Sequence, residues 1–345
     1  VKLARAAGQY AKPRSEDTET VNGVVLPTYR GDNINSIEPT AAARMPDAER
    51  MVQAYYHSAA TMNLLRAFSY GGYADLHRVS RWTLEFVNQS NAGEKYSDMA
   101  QRVDQALKFM AACDITATSA PQIHQTSLYT SHEALLLPYE QALTRRDTTT
   151  GEWYDVSAHL LWIGERTRQL DGAHVEFLRG VGNPIGMKVG PTVTADELLK
   201  LCAVLNPNNE AGRLTLYARM GAGKIAGALP PLLRATKSAG LNVIWASDPM
   251  HGNTIKTISG IKTRRFDDIL SEVRSFFEIC RAEGVPPGGI HIEHTGQDVT
   301  ECLGGAAAID EAGLAGNYTS AVDPRLNASQ AIELAFLTAE MLRTD

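Results

Sequence analysis

Three residues with metal-binding side chains, His251, Glu293 and Asp323, each end or follow a short apolar segment of strand type. One imidazole and two carboxylates are ligands that suit Mn²⁺, Fe²⁺, Co²⁺ or Zn²⁺. Neighbouring parallel strands lie about 4.8 Å apart, so side chains at adjacent strand ends can converge on one ion. A loop histidine or an aspartate before a proline also occurs without a metal. The sequence therefore predicts a divalent metal site and leaves the purely structural interpretation open.

A second set of residues is cationic and suits the phosphate and carboxylate groups of a small anionic substrate. Arginine offers such anions a planar fork of donors, and lysine offers a compact charge whose pKa shifts readily on burial. Lys188 is the most informative member, because it lies in a short strand-like segment bounded by Gly186 and Pro191. Scattered surface charge is the alternative interpretation. The set consists of Arg5, Lys12, Arg14, Arg166, Lys188 and Arg219.

Two familiar patterns are rejected. Residues 221–224 read Gly-Ala-Gly-Lys like a phosphate loop, but Ile225 stands where a serine or threonine must bind magnesium. The sequence His291-Ile292-Glu293-His294 is rich in ligands, but alternation along a strand puts His294 on the opposite face from Glu293. Neither pattern therefore supports a site of its own.

The elements that must position these residues follow a repeat from residue 157 onward. Short apolar segments alternate with longer helical ones, which is typical of βαβ units around a parallel sheet. Ligands bind at the carboxyl ends of such strands, and ionisable residues stand at each of these ends. The predicted strands are 1–4, 159–163, 185–189, 213–218, 242–246, 289–293 and 318–322, and the predicted helices are 48–68, 98–113, 195–205, 226–239, 265–283 and 329–342. Residues 16–46 are predicted to be a loop.

Composition narrows the class of protein. The 345 residues are 44% hydrophobic and 21% charged, which is typical of a folded globular protein and excludes a disordered or coiled-coil chain. No apolar run approaches the roughly 18 residues of a membrane-spanning helix. A net charge of -6 argues against a nucleic-acid-binding surface. The four cysteines are far apart, which suits reduced thiols in the cytoplasm better than disulfides.

Several segments together closely resemble class II 3-deoxy-D-arabino-heptulosonate 7-phosphate (DAHP) synthase. They are residues 7–15, 162–169, 248–254 and 323–327, with the linking segment 129–135, and the resemblance extends from about residue 1 to residue 343. It implies a single α/β domain over residues 1–345, a (β/α)8 TIM barrel with extra helices. A closed barrel has eight strands and seven are predicted, so we expect the first strand upstream of Val1, in a longer native chain. Residues 92–113 resemble an inserted helical segment that is regulatory in feedback-controlled members.

The resemblance also implies the reaction, which is the condensation of phosphoenolpyruvate with D-erythrose 4-phosphate to give DAHP and phosphate. This is the first step of the shikimate pathway to aromatic amino acids. Lys188 and Glu165 are expected to be catalytic, and Mn²⁺ or Co²⁺ is the expected metal. The implied sites are Arg5, Glu165, Arg166, Lys188 and Arg219 for phosphoenolpyruvate, Lys12, Pro13, Arg14 and Ser15 for erythrose 4-phosphate, and His251, Glu293 and Asp323 for the metal.

The family has a fourth metal ligand, a cysteine on the first barrel strand, and none of the cysteines in this sequence matches it. We expect it upstream of Val1. The resemblance further implies a homo-oligomer, chorismate mutase as a partner, and a cytoplasmic protein (plastid if the source is a plant), with no nucleic acid and no membrane involved. Two alternatives remain open, namely a catalytically silent paralogue that binds a metabolite or a partner enzyme, and an aldol-type synthase of secondary metabolism with another aldehyde.

Overall fold

The computed structural model describes residues 1–5, 9–14, 16–89 and 93–343. Ser15, one of the residues expected to bind erythrose 4-phosphate, lies outside the described residues. So do residues 7 and 8 of the first resembling segment and residue 92, at the start of the expected inserted segment.

The helices follow the predicted ones, because most have a buried apolar stripe at helical spacing. Helix Ala195–Leu205 has the predicted bounds and buries Leu198, Leu201 and Leu205. Gly284 ends another helix in the left-handed conformation, with φ of 61°. Three helices were not predicted, Leu76–Gln89, Leu137–Ala142 and Ala173–Arg179. In chain order the helices are α1 Glu49–Tyr70, α2 Leu76–Gln89, α3 Gly93–Ala112, α4 Leu137–Ala142, α5 Ala173–Arg179, α6 Ala195–Leu205, α7 Ile225–Ser238, α8 Phe266–Glu283 and α9 Ala328–Arg343.

The strands confirm the predicted α/β class. They are β1 Leu3–Ala4, β2 Thr18–Val21, β3 Val24–Pro27, β4 Tyr129–Glu133, β5 Thr144–Arg146, β6 Trp153–Asp155, β7 Leu160–Ile163, β8 Ile185–Val189, β9 Leu214–Ala218, β10 Val243–Ser247, β11 Thr254–Lys256, β12 Lys262–Arg264 and β13 Pro287–Ile290. Seven of them form one sheet in the order β1-β4-β7-β8-β9-β10-β13. The pairs β1–β4, β4–β7, β7–β8 and β10–β13 are parallel. Parallel strands that alternate with helices are the repeat of a (β/α)8 barrel.

Two strand predictions fail in opposite directions. Residues 318–322 form a loop rather than a strand, because their backbone N–H groups bond to the buried Glu301 instead of to a neighbouring strand. Strand β4, in contrast, was treated only as a linking segment, since its polar residues hide the strand pattern. The predicted strand 289–293 lies at Pro287–Ile290, so Glu293 follows this strand instead of ending it. The predicted total of seven strands is thus correct only because one omission offsets one error.

The loop prediction for residues 16–46 is wrong in part. Strands β2 and β3 form an antiparallel hairpin within it. The turn residues Asn22 and Gly23 have φ of 50° and 78°, which a type I′ turn requires. An Asn-Gly pair between two apolar runs is a strong hairpin signal, and it was available in the sequence.

The described chain divides into two compact units, each with its own core. The buried side chains of Leu161, Ile185 and Met187 belong to the first unit, and those of Trp245 and Phe276 to the second. No helix of the described residues has the length and apolar character to cross a membrane. The single barrel domain over residues 1–345 stays a prediction. The first unit comprises Val1–Ser69, Ser127–Lys188 and Asp196–Leu216, and the second comprises Tyr70–Thr126, Val189–Ala195 and Tyr217–Asp345.

Helices α2 and α3 pack together in the second unit, and α3 contacts α9 through one buried residue. The ring of Tyr96 stacks on Phe336, with 4.9 Å between centroids, and its hydroxyl donates to Glu333 at 3.2 Å. This contact holds the segment that was expected to be an insertion. Its regulatory role stays a prediction.

Candidate functional site

The three predicted metal ligands lie together in the second unit. His251, Glu293 and Asp323 each offer one ligand atom, and these atoms all lie within 4.8 Å of one another. The Nε2 atom of His251 is 3.3 Å from Oε1 of Glu293. Within the described residues this is the one group of three or more His, Cys, Asp or Glu side chains that could hold a metal ion.

A buried aspartate orients the histidine. Asp248 directly follows β10 and is fully buried. Its Oδ1 accepts the backbone N–H groups of Met250 and His251, at 3.1 and 3.3 Å, and its Oδ2 lies 2.8 Å from Nδ1 of His251. A carboxylate at Nδ1 keeps the proton there and leaves Nε2 as the ligand atom. Burial lowers the pKa of His251, but the charges of Asp248 and Glu293 outweigh this effect and raise it overall.

Two cations on strand β12 hold the carboxylates. Arg264 is fully buried and donates to Oε2 of Glu293 at 2.6 Å and to the carbonyl of Pro324 at 2.5 Å. Lys262 donates to Oδ1 of Asp323 at 2.5 Å. Burial raises the pKa of Glu293, but His251 and Arg264 bring it well below its ordinary value. Glu293 is therefore ionised at neutral pH and ready to bind a cation.

The loop that carries Asp323 is held by Glu301, which is fully buried. Glu301 accepts the backbone N–H groups of Thr319, Ser320 and Arg325, at 3.1, 2.7 and 2.8 Å. It also accepts two hydrogen bonds from the guanidinium of Arg325. The hydroxyl of Ser320 donates to the carbonyl of Asp323 at 2.6 Å. Asp323 thus reaches the site from a loop that is fixed without being a strand. Sequence reasoning gave Glu301 no role, and no sequence pattern marks it.

This donor set fits a divalent transition metal, because it combines one imidazole nitrogen with two carboxylates. The described cysteines do not add a ligand. The group of ligand atoms contains no cysteine, and burial raises the pKa of the Cys302 thiol, the one closest in sequence to Glu293, to about 12. The thiols of Cys202 and Cys280 are likewise buried, and Cys113 is exposed.

In the first unit, two predicted anion-binding residues lie beside one indole ring. The guanidinium of Arg5 lies 5.3 Å from the ring centre of Trp162, and the ammonium of Lys188 lies 5.6 Å from it. Arg5 also lies 4.9 Å from the ring of Tyr10. Its Nε and Nη2 atoms are buried and have no hydrogen-bond partner among the described residues. Unsatisfied buried donors of this kind call for an acceptor, and an anionic ligand would supply one.

One carboxylate oxygen of Glu165 accepts a hydrogen bond, and the other accepts none from the described residues. Its Oε1 accepts a hydrogen bond from Arg168 at 2.9 Å, and Arg168 also pairs with Glu197. Its Oε2 is buried and accepts no hydrogen bond from the described residues. A fixed carboxylate with a free oxygen is suited to orient a water molecule or a substrate hydroxyl.

The segment expected to bind the sugar phosphate contacts a residue expected to bind phosphoenolpyruvate. Arg166 donates to the carbonyl of Pro13 at 3.5 Å. Arg14 pairs with Glu19 at 2.9 Å, and the backbone N–H of Lys12 donates to the carbonyl of Arg30 at 2.7 Å. Lys12, Pro13 and Arg14 thus lie in one segment of the first unit that has no regular secondary structure.

Arg219 belongs to the second unit and lies next to His251, a predicted metal ligand. It follows β9, and its Nη2 donates to the carbonyl of His251 at 3.2 Å. Its Nε is buried and has no partner among the described residues. Arg219 therefore keeps a buried donor for an anion in the immediate neighbourhood of the triad.

Comparison with known proteins identifies one family. Residues 1–339 match the model of the class-II DAHP synthetase family. A phospho-2-dehydro-3-deoxyheptonate aldolase of Streptomyces coelicolor is 54% identical over 343 residues, which are 99% of this chain and 76% of that relative. The phospho-2-dehydro-3-deoxyheptonate aldolase AroG of Mycolicibacterium smegmatis is 51% identical over 348 residues, with 99% and 74% covered.

Solved structures show a weaker likeness. A DAHP synthase of Thermotoga maritima gives a TM-score of 0.37 at 16% identity, over 67% of this chain and 55% of that one. A truncated form of the 3-deoxy-D-arabino-heptulosonate 7-phosphate synthase of the same organism gives 0.35 at 16% identity, over 80% and 83%.

Proposed function

The chain belongs to the class-II DAHP synthetase family, and we propose that it catalyses the reaction of that family with the residues described above. The family activity is that of 3-deoxy-7-phosphoheptulonate synthase, a transferase of the aldol type. The enol carbon of phosphoenolpyruvate bonds to the aldehyde carbon of D-erythrose 4-phosphate, water adds, and phosphate leaves. The product, DAHP, is the first intermediate of the shikimate pathway.

The proposal assigns a divalent metal, Mn²⁺ or Co²⁺, to His251, Glu293 and Asp323. Bound there, the ion would supply a Lewis acid for the aldehyde oxygen of erythrose 4-phosphate. The support is the ligand set itself, whose atoms lie within 4.8 Å of one another. Asp248 bonds Nδ1 of His251 and so presents Nε2 to the site, and Arg264 keeps Glu293 ionised.

Phosphoenolpyruvate carries a phosphate and a carboxylate, and five residues are assigned to it. Arg5 and Lys188 support this assignment, because buried cations beside an indole are poorly screened by water and attract anions strongly. Lys188 would balance the carboxylate and exchange a proton with the substrate. Glu165 would orient the water molecule with its unused oxygen. The assigned residues are Arg5, Glu165, Arg166, Lys188 and Arg219.

Erythrose 4-phosphate is assigned to Lys12, Pro13, Arg14 and Ser15. The contact of Arg166 with the carbonyl of Pro13 supports this assignment, because it ties this segment to a residue expected to bind the other substrate. The guanidinium of Arg14 is held by Glu19, which fixes its direction but leaves donors for a phosphate.

The observation that carries the proposal is the family match over residues 1–339. Its test is phosphate release from phosphoenolpyruvate in the presence and absence of erythrose 4-phosphate, after removal of metal with a chelator. We expect release to require the aldehyde, to vanish in the metal-free protein, and to return with Mn²⁺ or Co²⁺. Activity that survives complete metal removal would contradict the metal assignment. Release with other aldehydes alone would favour a different synthase.

Lys188 is tested by the substitution Lys188→Ala, which removes a buried positive charge. We expect turnover to fall at least about 100-fold, the usual effect of losing a proton-transferring side chain. The exposed Lys200, which pairs with Asp196 on helix α6, offers the matched control Lys200→Ala. Normal turnover of a folded Lys188→Ala protein would remove Lys188 from the mechanism.

A further inference from the structure

One buried carboxylate joins two loops of the second unit. Glu272 lies on helix α8 and is fully buried. Its Oε1 accepts the backbone N–H groups of Met220 and Gly221, both at 2.9 Å. Its Oε2 accepts Nδ2 of Asn253 at 2.6 Å. A single side chain therefore bonds to both the loop after β9 and the loop after β10.

Each of these loops carries a residue of the proposed site. Met220 directly follows Arg219, and Asn253 is two residues after His251. The loops are in direct contact, because Arg219 donates to the carbonyl of His251 at 3.2 Å. A Cβ atom at Gly252 would lie 2.4 Å from the backbone nitrogen of Gly221, so the two backbones touch where only glycine fits.

We infer that Glu272 is a positioning residue that holds Arg219 and His251 in register, and so links phosphoenolpyruvate binding to metal binding. The inference rests on the roles proposed above for Arg219 and His251. Glu272 touches neither substrate nor metal in this account and acts only through the two loops.

The site requires an acceptor at both oxygens, because the groups that bond to Glu272 among the described residues are all donors. The amide of Asn253 cannot turn round without loss, since its Oδ1 accepts the N–H of Ala222 at 2.9 Å. Its Nδ2 also donates to the carbonyl of Pro249 at 2.8 Å. A glutamine at position 272 would keep an oxygen for Met220 and Gly221 and set an N–H group against Asn253. This substitution would therefore release the loop after β10, which carries His251, and leave the loop after β9, which carries Arg219, in place.

This asymmetry gives a test with two substitutions, E272Q and E272A. Titration calorimetry with Mn²⁺ on chelator-treated protein measures metal binding, and steady-state kinetics at saturating Mn²⁺ and erythrose 4-phosphate measure KM for phosphoenolpyruvate. Burial raises the pKa of Glu272 to about 7, so the measurements are made at pH 8.

For E272Q we expect the Kd of Mn²⁺ to rise roughly tenfold, the usual effect of losing a residue that orients a metal ligand, with KM within about twofold of normal. For E272A we expect both constants to rise roughly tenfold or more.

The matched control is E278Q on the exposed side of the same helix, for which both constants stay unchanged. A second arm uses Arg219→Ala as the background. There, E272A should raise KM no further, because Glu272 affects this constant through Arg219, while the Kd of Mn²⁺ still rises. A merely structural role would lower the melting temperature and leave both constants normal in the folded protein.

Two failures are distinguishable. If the wild-type protein binds Mn²⁺ and turns over substrate, while folded E272Q and E272A keep normal constants, the inference is wrong and the proposed function stands. If the wild-type protein binds no Mn²⁺ and releases no phosphate, the proposed function is wrong and the inference falls with it. Should E272A not fold, E272Q alone decides, and an unchanged Kd of Mn²⁺ overturns the inference.

Discussion

The substitution Asp248→Asn tests how the metal ligand His251 is prepared. An asparagine at this position keeps Oδ1 for the backbone N–H groups of Met250 and His251, which now bond to Oδ1 of Asp248. Its Nδ2 then faces Nδ1 of His251, where Oδ2 now lies at 2.8 Å. Because an amide nitrogen only donates, Nδ1 loses its closer acceptor and keeps only Oδ1, at 3.0 Å, which already accepts two backbone N–H groups. The tautomer with the ring proton on Nε2 is therefore favoured relative to the wild type. That atom is the one that has to bind the metal.

The size of the effect follows from the bond that is lost. Replacing a residue that bonds the second nitrogen of a metal-ligating histidine lowers metal affinity about 10- to 100-fold. This range corresponds to about 1.4–2.7 kcal/mol, at about 1.4 kcal/mol for each factor of ten. We place Asp248→Asn at the upper end of the range, because Asp248 is fully buried and water cannot replace it.

The assay is titration calorimetry of chelator-treated protein with Mn²⁺ at pH 7.5, with circular dichroism as a check on folding. Asp298→Asn is the matched control, since Asp298 is an exposed aspartate of the same unit. A folded Asp248→Asn protein whose Kd for Mn²⁺ stays within twofold of normal would refute the reasoning, because the tautomer would then not depend on Asp248.

Two further predictions concern stability. Burial raises the pKa of both Glu140 and Asp155 to about 7, so between about pH 4.5 and 7 the folded protein holds a proton that the unfolded chain has released. This proton makes the free energy of unfolding fall as pH rises through this window, whereas buried His132, whose pKa is lowered to about 3 and which lies 2.8 Å from Glu140, acts in the opposite direction below about pH 6.5. In urea denaturation at several pH values, the wild type should therefore lose stability relative to Glu140→Gln as pH rises through the window. Arg264→Met should lower the free energy of unfolding of the metal-free protein by roughly 3 kcal/mol, the lower end for a broken buried pair, because the Glu293 side chain remains 27% exposed. A loss below about 1 kcal/mol would contradict the importance given to this pair.

Elements that bury apolar residues in a regular pattern could be predicted from the sequence. Strand β8 and helix α6 have the predicted bounds, because every residue of β8 is buried and α6 has one apolar stripe. Strand β4 could not be predicted in this way. Its buried residues Thr130 and His132 form hydrogen bonds with His159 and Glu140, which lie outside the strand. A hydropathy pattern contains no information about such long-range partners, so a strand held by polar pairs looks like a loop.

The candidate metal ligands could be predicted from the sequence, and the residues that support them could not. Imidazole and carboxylate groups are recognisable by type, whereas a supporting residue is recognisable only by its contacts. Arg264 acts on Glu293 from 29 positions away, and Glu272 holds Gly221 from 51 positions away. Neither has a local motif. The family motifs contain His251 and Asp323, whereas Glu293 lies outside those segments and was predicted from its position at a strand end.

The error over residues 318–322 shows why a metal ligand does not need a strand beneath it. Loops usually open at low cost, since their backbone groups bond to water. Around Asp323 the backbone N–H groups of Thr319, Ser320 and Arg325 bond instead to the buried carboxylate of Glu301. Opening this loop would leave an ionised carboxylate unpaired in the interior, at a cost of about 3–5 kcal/mol. Such a cost is comparable to that of separating several residues of a strand from a sheet, so Asp323 is held as firmly as a residue at a strand end.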